Sequence, residues 1–358
     1  MRPAGVILVS PERAAVGPEG DDSPAAFLEE VANAPIVAHV AARLLDAGVG
    51  SLGVLGPEPL ARRAAECIAP AGSSKNALPR LLGDPYADVG AALAALAALA
   101  REGPLLLHRA EGLVGAPLAP LLAPLLACRC DATVALVRGA RNDEPLDGRA
   151  RAALRIGELG PLGGSLGLAG VAALGARALA RLGEGPGGGR QQSLSIGCLA
   201  HLLILDSRIQ LEPQVVASWH AYLGAARDLL DLNRIALEAI VPDTHHPSAS
   251  ADCSIEGAVR IDPSASITAS VICGPVAIGP RACVADSYIG PYTAIGADVR
   301  VEGSEIERSI VLAGASIIHV GGRLVSSVVG RDARVFRDFA VPRALRLQIG
   351  AGTEVALC

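Results

Sequence analysis

The sequence predicts an α/β domain with a mostly parallel sheet, followed by a parallel β-helix built from six-residue repeats. Three observations carry this. Short aliphatic runs alternate with Ala/Leu-rich stretches of helical spacing up to about residue 240. Beyond Ile255 aliphatic residues recur six apart, at Ile255, Ile261 and Ile267, at Ile278 and Val284, and at Ile289, Ile295 and Val301. Between the two patterns Val241-Pro242-Asp243 breaks the chain, and a linker runs to about Ser250. The boundaries are therefore residues 1–240 and 241–358.

The elements follow in order. Val6–Val9 ends before Pro11 and reads as a first buried strand. Leu52–Leu55, Leu105–Leu107 and Thr133–Val137 are further strands of the same kind. Ile36–Ala47 and Ala87–Ala100 have helical spacing, and Ala225–Ile240 reads as a helix leading into the boundary. In the second part Gly279, Gly290 and Gly296 follow isoleucines, where corners are needed. Each side of a triangular coil is one short strand with its aliphatic residue turned to the axis. No α-helix produces a six-residue period.

Composition narrows the function. The 358 residues allow about two domains, and 51% are hydrophobic, enough for a real core. A net charge of −5 and only eight aromatic residues argue against nucleic-acid binding. The uncharged stretch Gly112–Cys128 contains Pro117, Pro120 and Pro124 and is short for a membrane span. Met1–Ser10 is too short for a signal peptide, so a cytoplasmic protein is expected. Eight cysteines make no CxxC pair, the nearest spacing being Cys128-x-Cys130, and read as reduced. Every base is arginine except one lysine, Lys75, so lysine chemistry runs through that position or not at all.

The segments "VADSYIGPYTAIGADVRVEGSEIERSIVLAGASI", "SSVVGRDARV", "VPRALRLQIG" and "LLDLNRIALEAI" resemble the sugar nucleotidyltransferases, in particular the long form of glucose-1-phosphate thymidylyltransferase. "VANAPIVAHVAARLLDAGV" is similar to that family's VANKP segment and helix. The resemblance implies a nucleotidyltransferase-like (Rossmann-like) mixed-sheet domain followed by a left-handed β-helix. It also implies a reaction that joins a nucleoside triphosphate to a sugar 1-phosphate and releases pyrophosphate, with Mg²⁺ as cofactor.

The family's charged groups are the part this chain lacks. Its loop GGxGTRLxP falls on Ser10-Pro11-Glu12-Arg13-Ala14-Ala15-Val16-Gly17-Pro18. Pro11 removes a donor N–H, Ala15 stands at the arginine, and the following Pro-Lys falls on Ala25 or Ala26. Gly-Asp-Asn aligns with "HRAEG", placing Ala110 at the metal-binding aspartate with Glu111 beside it. The Trp-x-Asp-x-Gly motif reads from Trp219, with His220 next and Ala221 at the second aspartate. The sugar-phosphate Glu-Lys-Pro falls near Glu158 and Pro161 without its lysine. The sugar motif is Ser193-Leu194-Ser195-Ile196-Gly197-Cys198, and the nucleotide-proximal motif is Asp88-Val89-Gly90-Ala91-Ala92. Apolar positions are kept while charged ones are gone. Phosphoryl-type transfer draws on charge neutralisation and positioning and on little else.

The expectation is a pseudoenzyme with no catalytic residue and no resident metal, Mg²⁺ belonging only to an active form. A vestigial cleft of Arg13, Gly90, Arg109, Glu111, Trp219 and His220 is the candidate ligand site, with Tyr222 nearby. A nucleotide or sugar phosphate is the candidate ligand. The expected partners are a second copy or a catalytic homologue, with no nucleic acid and no membrane. The alternatives are a repurposed enzyme on another phosphorylated or sugar ligand, or an active thymidylyltransferase. Four further features have plainer readings. Gly183–Gly189 reads as a flexible loop rather than a phosphate cradle, and His245-His246 as an exposed linker pair rather than a metal site. His319 reads as structural rather than an acyl-transfer base, and Cys198 shows no paired histidine.

Overall fold

A computed structural model describes residues 2–11, 25–68, 79–138, 166–184, 194–242 and 249–339. Arg13, Lys75, Glu158, Pro161, His245 and His246 lie outside them, as does most of the glycine run after Gly183.

Strand β1 (Ala4–Leu8) is buried along its whole length. A 3₁₀ turn (Ala26–Leu28) leads into the hairpin β2 (Glu30–Val31) and β3 (Ala34–Pro35). Ala32 and Asn33 turn that hairpin with φ of 47° and 65°, the left-handed pair that a two-residue loop of matching twist requires. Then come α1 (Ile36–Asp46), β4 (Ser51–Leu55), α2 (Glu58–Ile68), β5 (Arg80–Leu81), α3 (Val89–Leu99), β6 (Leu105–Arg109), β7 (Gly112–Val114), α4 (Ala119–Leu126) and β8 (Ala132–Arg138). Strand β9 (Leu166–Leu174), α5 (Ala176–Glu184), α6 (Ile196–Leu205), β10 (Leu211–Val216), β11 (Trp219–Ala221) and α7 (Ala226–Glu238) complete the first domain.

The main sheet has seven strands in the order β10-β8-β9-β6-β1-β4-β5. Its pairs are parallel except at β9, which runs antiparallel to both β6 and β8. The sheet is therefore mixed. All nine residues of β9 are buried, as a strand between two others with both faces covered must be. One face packs on α1, α2, α4 and α7, and the other on α3, α5 and α6.

The second part is a parallel β-helix, the class the hexads predict. Its strands fall into three parallel five-stranded sheets. Three apolar columns fill the axis: Ile255, Ile272, Ile289, Ile306 and Leu324; Ile261, Ile278, Ile295, Val311 and Val329; and Ile267, Val284, Val301, Ile317 and Val335. The corners are columns too. Ala269, Asp286, Gly303 and His319 stack at one corner, and Arg281, Asp298, Gly314 and Asp332 at another, all with positive φ. A serine ladder supports the first corner. Ser287 N–H donates to Ser270 Oγ, and Ser304 N–H to Ser287 Oγ, each at 3.2 Å.

The middle sheet turns its outer column (Arg260, Ala277, Ala294, Ile310 and Val328) toward the α/β domain. Ala277 and Ile310 join the first domain's core there. Asn33 Nδ2 donates to the Ile295 carbonyl at 2.8 Å, and Arg260 Nη2 to the Ala32 carbonyl at 3.1 Å. Among the described residues no helix is long and apolar enough to cross a membrane.

Candidate functional site

The candidate site lies where β6 ends and β7 pairs antiparallel with β11. Strand β6 reverses through Ala110 and Glu111 into β7. The register sets Trp219 opposite Val114 and Ala221 opposite Gly112, and Tyr222 N–H donates to the Glu111 carbonyl at 2.9 Å.

Arg109 and Glu111 form an ion pair with little water around it. Arg109 donates to Glu111 Oε1 from Nε at 2.7 Å and from Nη2 at 2.5 Å. The side chains are 12% and 3% exposed, so the two charges are compensated inside the fold. The guanidinium also lies 5.5 Å from the centre of the Trp219 ring, a cation–π distance. The indole fits because its neighbours are glycines. A methyl added at Gly112 meets the ring at 2.5 Å, and one added at Gly170 overlaps it outright.

His220 is on the other side of β11, because successive strand residues alternate. Trp219 and Ala221 are buried, whereas His220 is half-buried and turns toward Asp231 of α7, Nδ1 to Oδ2 being 3.6 Å. Burial lowers its pKa, and Asp231 opposes that shift. Burial, with Glu29 adding to it, pushes the Tyr222 phenol up to about 12, so it stays protonated at neutral pH. The structure thus gathers Arg109, Glu111 and Trp219 and sets His220 apart from them.

Gly90 lies in the first turn of α3, whose buried face packs in the core on the opposite side of the sheet from Trp219. Asp88 is the N-cap of that helix, its carboxylate accepting from Ala91 N–H at 2.9 Å. Ser195 does the same for α6, accepting from Cys198 N–H at 3.0 Å, while the neighbouring Leu194 and Ile196 are buried. In both motifs the polar residue now terminates a helix. Cys198 is exposed on α6.

His108 also belongs to this region. Its only signal was a histidine at the end of an aliphatic strand. It is completely buried, its ring 5.7 Å from that of Trp219, and Nδ1 lies 2.7 Å from the Arg109 carbonyl.

A divalent cation does not fit this donor set. Ala110 and Ala221 are 0% and 1% exposed and their side chains offer no oxygen, and Glu111 is already bound by Arg109. Ala25 and Ala26, the two candidates for the lysine position, are buried as well. Among the described residues no group of three His, Cys, Asp or Glu side chains is placed to hold a metal.

No family model matches the chain. Individual proteins do. It is 32% identical over 154 residues to a glucose-1-phosphate thymidylyltransferase of Streptomyces antibioticus, a match covering 43% of each chain. It is 34% identical over 147 residues to the Streptomyces griseus protein of the same name, covering 41% of each. It is 31% identical over 157 residues to a low-salt glycan biosynthesis nucleotidyltransferase of Haloferax volcanii, covering 43% of each. The matches thus span less than half the length of these relatives. About two fifths of the chain is thus similar in sequence to these nucleotidyltransferases.

Proposed function

We propose that the chain is a non-catalytic sugar nucleotidyltransferase homologue. Its α/β domain keeps the family's frame, and its role is regulatory, ligand-sensing or scaffolding in sugar-nucleotide or related biosynthesis in the cytoplasm. One observation carries the reading. The two positions that the motif resemblance assigns to metal carboxylates are the buried alanines Ala110 and Ala221, and the adjacent Glu111 is neutralised by Arg109. Removing one group that stabilises transition-state charge costs about 10²–10³ in rate. Here both carboxylates and the lysine are replaced together.

In this role the protein assembles with itself or with a catalytic homologue. A nucleotide or sugar phosphate is the ligand class to test. The competing reading is an active nucleotidyltransferase, and the names of the Streptomyces relatives favour it. A pyrophosphate-release assay with glucose 1-phosphate, each nucleoside triphosphate and Mg²⁺ separates the two. Turnover above background with any pair ends the non-catalytic reading. A thermal shift without turnover supports ligand sensing. No shift, with co-purification of a catalytic homologue, supports scaffolding.

A further inference from the structure

The β-helix corner that carries the serine ladder changes at its fourth turn. Two residues join the strands at the first three turns: Ala269-Ser270, Asp286-Ser287 and Gly303-Ser304. At the fourth turn four residues do, His319-Val320-Gly321-Gly322. A groove of about 710 Å³ opens beside this insertion. Sites for small ligands commonly measure about 300–1,000 Å³.

The corner column orders the lining. Arg337 N–H donates to the Ile318 carbonyl at 3.2 Å, as His319 N–H does to the Glu302 carbonyl at 2.8 Å, so Arg337 follows His319 in the column. Asp286 and Arg337 then stand three coils apart, about 14 Å at the usual strand spacing, with His319 between them. Gly303 leaves room for the His319 imidazole, and Gly321 for the Arg337 guanidinium. Tyr288 lines the same groove, with the Arg323 guanidinium 5.0 Å from its ring centre. Glu305 and Glu307 hold Arg323 at 2.9 and 3.2 Å, so its charge is compensated and its planar face serves for stacking. Phe339, 69% exposed, forms the wall beside Arg337 and gains from being covered.

We propose that this groove binds a nucleoside diphosphate. Arg337 and His319 meet the phosphates, the Tyr288–Arg323 stack receives the base, and Asp286 accepts from ribose hydroxyls. The span suits a ligand with base, ribose and two phosphates, and inorganic phosphate alone cannot bridge it. Among the described residues only the β-helix lines the groove. The site gives the ligand-sensing form of the proposed function a place, and rests on that form for its purpose alone. Pyrophosphate release would end the non-catalytic reading and leave binding in this groove standing.

Equilibrium dialysis of the full chain with ADP, UDP and dTDP tests it. At least one of them is expected to bind saturably. Arg337→Ala and Tyr288→Ala are each expected to weaken that binding about tenfold or more, the worth of one charged hydrogen bond or one stacked base. Circular dichroism checks the fold of both variants. Trp219, the chain's only tryptophan, lies in the α/β domain and reports binding there, so its emission is expected to stay constant. No saturable binding, or binding that both variants leave unchanged, overturns the proposal. Displacement by an equal concentration of inorganic phosphate does so as well. Quenching of Trp219 by the bound diphosphate also overturns it, because the ligand then sits beside that ring. If Tyr288→Ala fails to fold, Arg337→Ala, whose side chain is exposed, still decides it.

Discussion

Asn233 of α7 reaches the carbonyl of Tyr292 in the β-helix, its Nδ2 donating at 2.9 Å. Its Oδ1 accepts from Ala32 N–H in the β2–β3 hairpin at 2.8 Å. One buried amide therefore joins a helix and a hairpin of the α/β domain to a corner of the β-helix. Removing it leaves an N–H and a C=O without these partners, each costing about 1–3 kcal/mol. Asn233→Ala is expected to lower the thermal midpoint of unfolding. An unchanged midpoint would mean that the interface draws its strength from Ala277 and Ile310 instead.

Acid is expected to loosen the first domain through His108, which is buried, and His39, which is partly buried. His39 donates to the Val31 carbonyl at 2.7 Å, and burial pushes both His39 and His108 down to about 4. In the unfolded chain each titrates near 6.5. Between those values the unfolded state binds more protons, so stability falls as pH drops from about 7 to about 4. Each contributes up to about 3 kcal/mol that is present above pH 6.5 and lost toward pH 4. Denaturant midpoints across that range test it. His39→Gln, which keeps an N–H donor, is expected to flatten the profile.

The repeat was legible in the sequence because a β-helix encodes its geometry residue by residue. The hexad isoleucines and valines named from the sequence all point to the axis. Helix ends near Asp46, Leu99 and Glu238 were legible from apolar spacing. Strand β9 was not. Its run Leu-Gly-Leu-Ala-Gly-Val-Ala-Ala-Leu is buried on both faces, so it lacks the alternation that marks a strand. Asp88 read as a carboxylate replacing a proline, and only the helix start shows it to be a cap. The Arg109–Glu111 pair was legible as two neighbours in a loop. Its burial against Trp219 depends on glycines from two other strands, which local pattern does not reveal.

Gly303 has φ of +55° at a corner of the β-helix, and a methyl there would overlap the His319 imidazole. The left-handed backbone alone costs a non-glycine residue about 1–2 kcal/mol. Gly303→Ala is expected to exceed that cost, because the ring must also move. In the His319→Ala background the excess should vanish, giving a non-additive double-mutant cycle in thermal unfolding. Additive effects would show that the ring yields freely.

Arg109 is expected to act on stability rather than on chemistry. Arg109→Ala strips the Glu111 carboxylate of a charge-assisted fork, and breaking a buried pair from one side costs about 3–5 kcal/mol. Replacing both residues with apolar ones, as in Arg109→Met with Glu111→Leu, should recover much of the loss. Equal destabilisation by the single and double changes would contradict this account.

Putting the carboxylates back is the sharpest challenge to the non-catalytic reading. In an open active cleft, Ala110→Asp with Ala221→Asp would restore two oxygen donors facing solvent and substrate. In this structure both positions are buried within an apolar cluster that includes Leu113, Val114 and Trp219. A carboxylate placed there is desolvated, and the neighbouring Arg109 is already held by Glu111. The double variant is therefore expected to unfold at lower temperature, and to unfold more readily as pH rises and the new groups ionise. It is also expected to show no Mg²⁺-dependent thermal shift and no pyrophosphate release. Calorimetry with and without Mg²⁺, run beside the release assay, checks each point. A Mg²⁺-dependent gain in stability would mean that the two alanines line a cleft still shaped for the metal.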